Sequence, residues 1–184
     1  MKFMSRLLSV FRSASAEEAG QDFDKWPDEV RASAVRRCSH MTFATQDEET
    51  AIATAQEYTA QLYRDGVVKT PKLTVLGKED LTAKYTDHTV LKARHKVESA
   101  KGGVLFIKDA YKLAEDQYGR YALNSAVLEI LGTVDNDPVI IFSGQESEMK
   151  DFYSQYPKLT EYFTPKYIPQ QSSRSIIPKH AALS

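Results

Sequence analysis

The sequence has a single cysteine, no net charge of note and no long apolar run. Because Cys38 stands alone, no disulfide can form within the chain, and a lone cysteine near His40 fits no metal-ligand spacing. The 24 basic and 25 acidic residues nearly cancel, so no overall field draws the protein to nucleic acid. No window approaches the ~20 apolar residues of a membrane-spanning helix. We therefore expect no nucleic-acid partner, no membrane span and no metal site.

The 184 residues, 42% of them hydrophobic, are enough for one globular domain with a substantial core. Strand-like and helix-like segments alternate about four times. The predicted strands are 39–44, 72–77, 104–107 and 138–144, and the predicted helices are 47–64, 88–100, 119–132 and 146–156. The run "VLFI" at 104–107 is continuously apolar, as in strands buried on both faces of a parallel sheet. The fold class is therefore a three-layer α/β domain with a mainly parallel sheet.

The two ends of the chain differ from this central domain, which we place at 24–169. Residues 1–16 are basic and serine-rich, contain no acid and have apolar residues at helical spacing, as in a mitochondrial or plastid targeting segment. The alternatives are a flexible arm or a short amphipathic helix that docks on a partner. Peripheral membrane contact by residues 1–16 also stays open, as does a cytoplasmic location. An acidic linker completes the segment 1–23. The polar, serine-rich segment 170–184 reads as a loosely attached tail.

No catalytic constellation stands out from the residue pattern. The histidines are far apart and form no i, i+4 ligand pair: they are His40, His88, His95 and His180. Ser143 follows a predicted strand but lacks the G-x-S-x-G context of a nucleophile. The unusual feature is Lys108-Asp109, a charged pair that directly follows a buried strand, where sites form in parallel sheets. We expect Lys108 to neutralise Asp109, one of the acids at 47–49, or Asp135.

Several stretches together resemble the AAA+ ATPase core of the CbxX/CfxQ type, which includes red-type Rubisco activase. In chain order they are "HMTF", "LGKEDLTAKYTDHT", "SAKGGVLFIKDAYKLAED", "YGRYALNSAVLEIL" and "PVIIFSGQESEMKDFYSQYPKLTEYF". The resemblance runs from about residue 24 to 169 and is most specific between 102 and 163. It implies a P-loop NTPase core that binds ATP and Mg²⁺ and assembles into rings.

The nucleotide-binding elements that the resemblance implies are altered. The Walker A loop of the family would lie at 44–53, where "ATQDEETAIA" has neither glycine nor lysine. The degenerate region comprises Thr45, Gln46, Asp47, Glu48, Glu49 and Thr50. Its acids suit a helix N-terminus, but they would repel phosphates by on the order of a few kcal/mol for each charge pair at contact.

The other family elements also depart from the expected pattern. The Walker B pair, which supports Mg²⁺ and orients water, becomes Lys108 and Asp109. Tyr162 occupies the position of the arginine finger. Tyr85 resembles the aromatic pore-loop residue, although Asp87 replaces the glycine that follows it in the family. The sequence after residue 169 is too short to encode the C-terminal helical lid.

These departures predict a pseudo-ATPase: no catalytic residue, no cofactor, and a structural or regulatory role in a protein assembly. The partners would be other protein subunits, an AAA+ paralogue among them, by analogy with the ring-forming family. Two alternatives remain. One is a nucleotide-binding ATPase or sensor in which Lys108 meets the phosphates. The other is an adaptor or inhibitor that inserts into a related AAA+ ring.

Overall fold

The computed structural model describes residues 34–36, 39–45, 47–131 and 138–167, with 164–167 described by their backbone alone. Several sequence-based predictions concern residues outside these ranges. They are the basic segment within 1–23, the tail 170–184, and the roles suggested for Cys38, Gln46 and Asp135.

A parallel five-stranded sheet forms the centre of the described fold. Its strands are β1 (Met41–Ala44), β2 (Leu73–Leu76), β3 (Val104–Ile107), β4 (Val139–Gly144) and β5 (Thr164–Tyr167). The spatial order is β2-β3-β4-β1-β5, and every neighbouring pair is parallel. The first four strands lie where the sequence predicts them, whereas β5 was not predicted. The carboxyl ends of all five strands therefore meet at one edge of the sheet.

Helices connect the strands in the alternating α/β pattern. They are α1 (Glu48–Arg64), α2 (Lys78–Leu81), α3 (Thr86–Glu98), α4 (Lys112–Glu115), α5 (Gln117–Ala122), α6 (Leu128–Ile130) and α7 (Glu146–Gln155). A π-helical turn at Leu123–Val127 joins α5 to α6, and a 3-10 turn at Pro157–Glu161 follows α7. The predicted helix 88–100 is α3, and the predicted helix 119–132 is the α5–α6 segment; each begins two residues earlier than predicted.

Side chains of the central strands alternate between two hydrophobic cores. Val104 and Phe106 of β3 pack in one core with α1, together with Phe43 of β1. Leu105 and Ile107 pack in the other core, on the side of α3, α5 and α7. All four β3 residues are fully buried. The predicted three-layer arrangement with strands buried on both faces is thus confirmed, and burial of this kind provides the main driving force for the fold.

Candidate functional site

The connection between β1 and α1 is only three residues long, from 45 to 47. Asp47 is the N-cap of α1, and its carboxylate accepts a hydrogen bond from the Thr50 amide at 3.1 Å and another from the Thr50 hydroxyl at 2.5 Å. The Thr45 amide donates to the Gly144 carbonyl of β4 at 3.0 Å. An acid of the chain therefore satisfies N–H groups at a helix N-terminus, which is where anions bind in other proteins.

The charge of the first turn of α1 reinforces this cap. Glu48 and Glu49 follow Asp47 directly and are both exposed. Hydrogen bonds from Thr50, from its hydroxyl first and its amide second, lower the pKa of Asp47. Asp47 is therefore ionised at neutral pH, and the N-terminus of α1 carries negative charge that its helix dipole favours. The predicted role of these acids in stabilising the helix N-terminus is confirmed for Asp47.

Lys108 lies at the carboxyl end of β3, as the sequence predicts. Its amide still donates to the Leu76 carbonyl of β2 at 2.9 Å, so the backbone continues the strand by one residue. Its ammonium nitrogen is 3.7 Å from Oε1 of Glu48 and 3.5 Å from Oε1 of Glu79. Lys108 thus connects the first turn of α1 with α2. Glu48 belongs to the predicted set of partners, whereas Glu79 does not.

Of the alternative partners predicted for Lys108, Glu48 is observed, whereas the neighbouring Asp109 is not. The carboxylate of Asp109 accepts from the ammonium of Lys112 at 2.7 Å instead. The reason is the backbone: Asp109 has a φ of 46°, in the left-handed region that non-glycine residues seldom adopt. The chain turns sharply there into α4, and the next amide, that of Ala110, donates to the Ser143 carbonyl.

A third lysine at this edge also pairs with acids. Nζ of Lys78 is 2.6 Å from Asp116 and 3.5 Å from Glu115. Hydrogen bonding to Asp116 is the main cause of a raised pKa at Lys78, and Asp116 in turn caps α5 through the Gly119 amide at 2.8 Å. The lysines of this edge are therefore engaged by acidic side chains of the chain itself.

Sequence reasoning did not find Lys78, Lys112 or Glu79. Lys112 and Asp109 have the i, i+3 spacing at which helical side chains meet, and that spacing was a signal in the sequence. By contrast, Glu79 approaches Lys108 only because β2 and β3 are neighbours in the sheet, and a single sequence does not reveal strand order. The sequence thus predicts that charged side chains lie at the carboxyl ends of the strands, but it does not predict all of the ion pairs among them.

The two remaining predicted site residues lie away from this network. Tyr85 immediately precedes α3 and is 59% exposed; its ring makes an edge-on contact with His88. Tyr162 follows the 3-10 turn and packs, partly buried, against the core on the α7 side. In the described residues, therefore, Tyr162 contributes to packing of its own domain.

The described residues also bear on two further kinds of function, metal binding and membrane insertion. Within the described ranges, no three histidine, cysteine, aspartate or glutamate side chains lie close enough together to hold a metal ion. In the same part of the chain, no helix combines the length and the apolar character needed to cross a bilayer.

The chain is similar to CfxQ and CbbX proteins and to Rubisco activases. The chain is 32% identical over 141 residues to a chloroplastic ribulose bisphosphate carboxylase/oxygenase activase of Cyanidioschyzon merolae, covering 72% of this chain and 48% of the relative. It is 32% identical over 141 residues to a CfxQ homolog of Cyanidium caldarium, covering 72% of this chain and 49% of that relative. It is 30% identical over 122 residues to CbbX of Cereibacter sphaeroides, covering 64% and 39%.

These matches cover only part of each relative, which limits what the similarity implies for this chain. The chain spans about half the length of the first two relatives, or less in the case of CbbX. No profile of a known protein family matches the chain. The similarity covers most of this chain and identifies a shared core, not the whole relative.

Proposed function

Because the chain belongs to the CbxX/CfxQ family of AAA+ proteins, we propose that it is a non-catalytic member: a structural or regulatory subunit of a protein assembly. In this proposal the fold is retained as a scaffold, while the nucleotide site no longer binds ATP. The activity and partners of the named relatives do not transfer with the fold alone.

The observation that carries the proposal is the occupied N-terminus of α1. A phosphate-binding loop of the G-x-x-x-x-G-K-[S/T] type needs several residues between strand and helix, so that backbone amides surround the phosphates. Here only three residues connect β1 to α1, and the Asp47 carboxylate accepts a hydrogen bond from the Thr50 amide. Phosphate would have to displace a carboxylate and approach Glu48 and Glu49, which is unfavourable at short range.

The surroundings of Lys108 also support the proposal. A lysine that contacts phosphate must present a free ammonium, and Lys108 is within ion-pair distance of Glu48 and Glu79. Its positive charge also replaces the carboxylate that supports Mg²⁺ in the family pattern. In the nucleotide-sensor alternative, a phosphate would therefore compete with both carboxylates for the ammonium of Lys108.

The inhibitor alternative draws on Tyr162. A subunit that inserts into an AAA+ ring and offers its neighbour tyrosine in place of the finger arginine would stop hydrolysis at that interface. Tyr162 packs against its own core, however, which favours a stable structural role. Two relatives are named as chloroplastic activases, which suggests an organelle for this protein but gives no support to the mitochondrion in particular.

Native mass spectrometry of the protein purified from its source tests the proposal. We expect the chain in a stoichiometric complex with other proteins and without bound nucleotide. Companions that are active AAA+ subunits would favour the inhibitor alternative. A monomer carrying ATP or ADP would contradict the proposed role.

A further inference from the structure

The segment that joins α5 to α6 contains a π-helical turn. Leu128 donates its amide to the carbonyl of Leu123, five residues earlier, where an α-helix would use the carbonyl of Asn124. A π turn contains one residue more than the α turn that it replaces, and such turns are rare and occur frequently at functional sites. The turn at Leu123–Val127 is therefore a place where the helix has a second, more ordinary register available.

Arg94 of α3 contacts both the π turn and the helix that follows it. Its Nε donates to the Ser125 carbonyl at 3.1 Å, and its Nη2 donates to Oε2 of Glu129 at 3.0 Å. The ion pair is accessible to solvent, because the side chain of Arg94 is 51% exposed and that of Glu129 is 56% exposed. One guanidinium thus bonds to the turn through a carbonyl and to α6 through a carboxylate.

The apolar residues around α6 suit both registers. In the observed register Leu131 is 4% exposed in the core, whereas Leu128 and Ile130 are partly buried against it. If the π turn became an α turn, each later residue would take the place of the residue after it. Ile130 would then replace Leu131 in the core, an exchange that cores tolerate well, and Leu128 would take the exposed place of Glu129.

From these contacts we infer that Arg94 is a latch that selects the π register. The ion pair depends on the register, because the π form places Glu129 beside Arg94 and the α form places Leu128 there. Release of Arg94 therefore shifts the population towards the α form and exchanges an exposed carboxylate for an exposed leucine. The inference goes beyond the proposed function and does not depend on it, since no latch residue belongs to the α1 N-terminus or pairs with Lys108.

Scalar couplings across hydrogen bonds, measured by NMR between amide nitrogen and carbonyl carbon, test this inference because they identify the acceptor of each amide. In the wild type we expect Leu128 to couple to Leu123. Arg94→Met removes both bonds but keeps an aliphatic side chain, so it should lower the ratio of π to α form roughly tenfold. The coupling to Leu123 should weaken and one to Asn124 should appear. Relaxation dispersion of the amides at 124–131 gives the population of the minor form.

Two further variants and a salt titration provide the controls. Glu129→Gln keeps an acceptor for Arg94 but removes the charge, and should lower the ratio by a smaller factor, roughly twofold. Lys84→Met removes a positive charge at an exposed position before α3 and should leave the ratio unchanged. Added salt should lower the ratio in the wild type, a measurement that needs no variant to fold, and should have less effect in Arg94→Met.

Four results would overturn the inference. They are a wild type in which Leu128 couples to Asn124 alone, an unchanged π population in Arg94→Met, an equal shift in Lys84→Met, and a wild-type ratio that does not respond to salt. ATP titration probes the proposed function separately, because the latch does not include the α1 N-terminus.

Discussion

At the scale of single residues, Lys108 is at the centre of the candidate site. It contacts Glu48 of α1 and Glu79 of α2, and all three side chains are partly exposed. Solvent-exposed ion pairs contribute about 0.2–1 kcal/mol each, and salt screens them. The role of Lys108 in this account is therefore to balance local charge, with only a modest effect on stability.

Replacement of Lys108 should measure this contribution. We expect Lys108→Ala to lower the free energy of unfolding by about 1 kcal/mol at low ionic strength, and by less in high salt, because two like charges lose their common counter-ion. Urea denaturation with and without added salt gives the comparison. The control is Lys84→Ala, since Lys84 makes no ion pair within the described residues. A variant as stable as the wild type would show that the two contacts do not matter.

His40 makes stability depend on pH. It is buried, its Nδ1 accepts the Ile140 amide at 2.8 Å, and burial is the main reason that its pKa is lowered from 6.5 to about 4. Between these two values the unfolded chain binds the proton and the folded chain does not, so stability falls as pH decreases. The full loss is about 3 kcal/mol, reached near the folded pKa.

Urea unfolding between pH 7 and pH 5 checks the role of His40. His40→Asn should reduce the pH dependence in this range, because the amide oxygen can accept the same hydrogen bond without titrating. His88→Gln, at an exposed position on α3, is the matched control substitution. If the wild type and the Asn variant lose stability in parallel, His40 is not the group responsible.

At the scale of elements, α1 depends on its N-cap. Asp47 satisfies the Thr50 amide and hydroxyl and adds negative charge at the positive end of the helix. We expect Asp47→Ala to lower the urea midpoint, and Asp47→Asn to retain most of the stability because asparagine is also a good N-cap. Glu57→Ala, on an exposed face in the interior of α1, serves as the control. An Ala variant with the wild-type midpoint would contradict the capping role.

The strands also show which elements can be predicted from sequence. β3 and β4 are evident because strands buried on both faces must be continuously apolar, as "VLFI" and "VIIF" are. β5 was missed because its sequence, "TPKY", contains a proline and a lysine. It pairs with β1 alone at the edge of the sheet, and proline is tolerated on edge strands because they have a side that needs no hydrogen-bond donor.

The candidate site, like the sheet, has some features that can be predicted from sequence and others that cannot. Local effects were predictable from sequence: the acids at the α1 N-terminus and the place of Lys108 at a strand end both follow from helix and strand periodicity. The pairing of Lys108 with Glu79, and of Asp109 with Lys112, depends on strand order and on a left-handed turn at Asp109. Strand order and the left-handed turn leave no pattern in a single sequence, although the i, i+3 spacing of Asp109 and Lys112 does.

At the scale of the whole molecule, the chain combines an AAA+ core with a sheet edge rich in its own paired charges. Asp47 caps the N-terminus of α1, and Lys108, at the position that the family resemblance assigns to Walker B, is within ion-pair distance of two glutamates. We propose that this protein keeps the family scaffold but binds no nucleotide, and that its role depends on its surfaces.

Calorimetric titration of the full chain with ATP in the presence of Mg²⁺ tests this claim most directly. We expect no saturable heat up to ATP concentrations on the order of millimolar, which corresponds to a binding free energy weaker than about −4 kcal/mol. The same absence is expected with ADP and for Lys108→Ala. Stoichiometric binding in the micromolar range, abolished by Lys108→Ala, would contradict the account and establish Lys108 as a phosphate-binding residue.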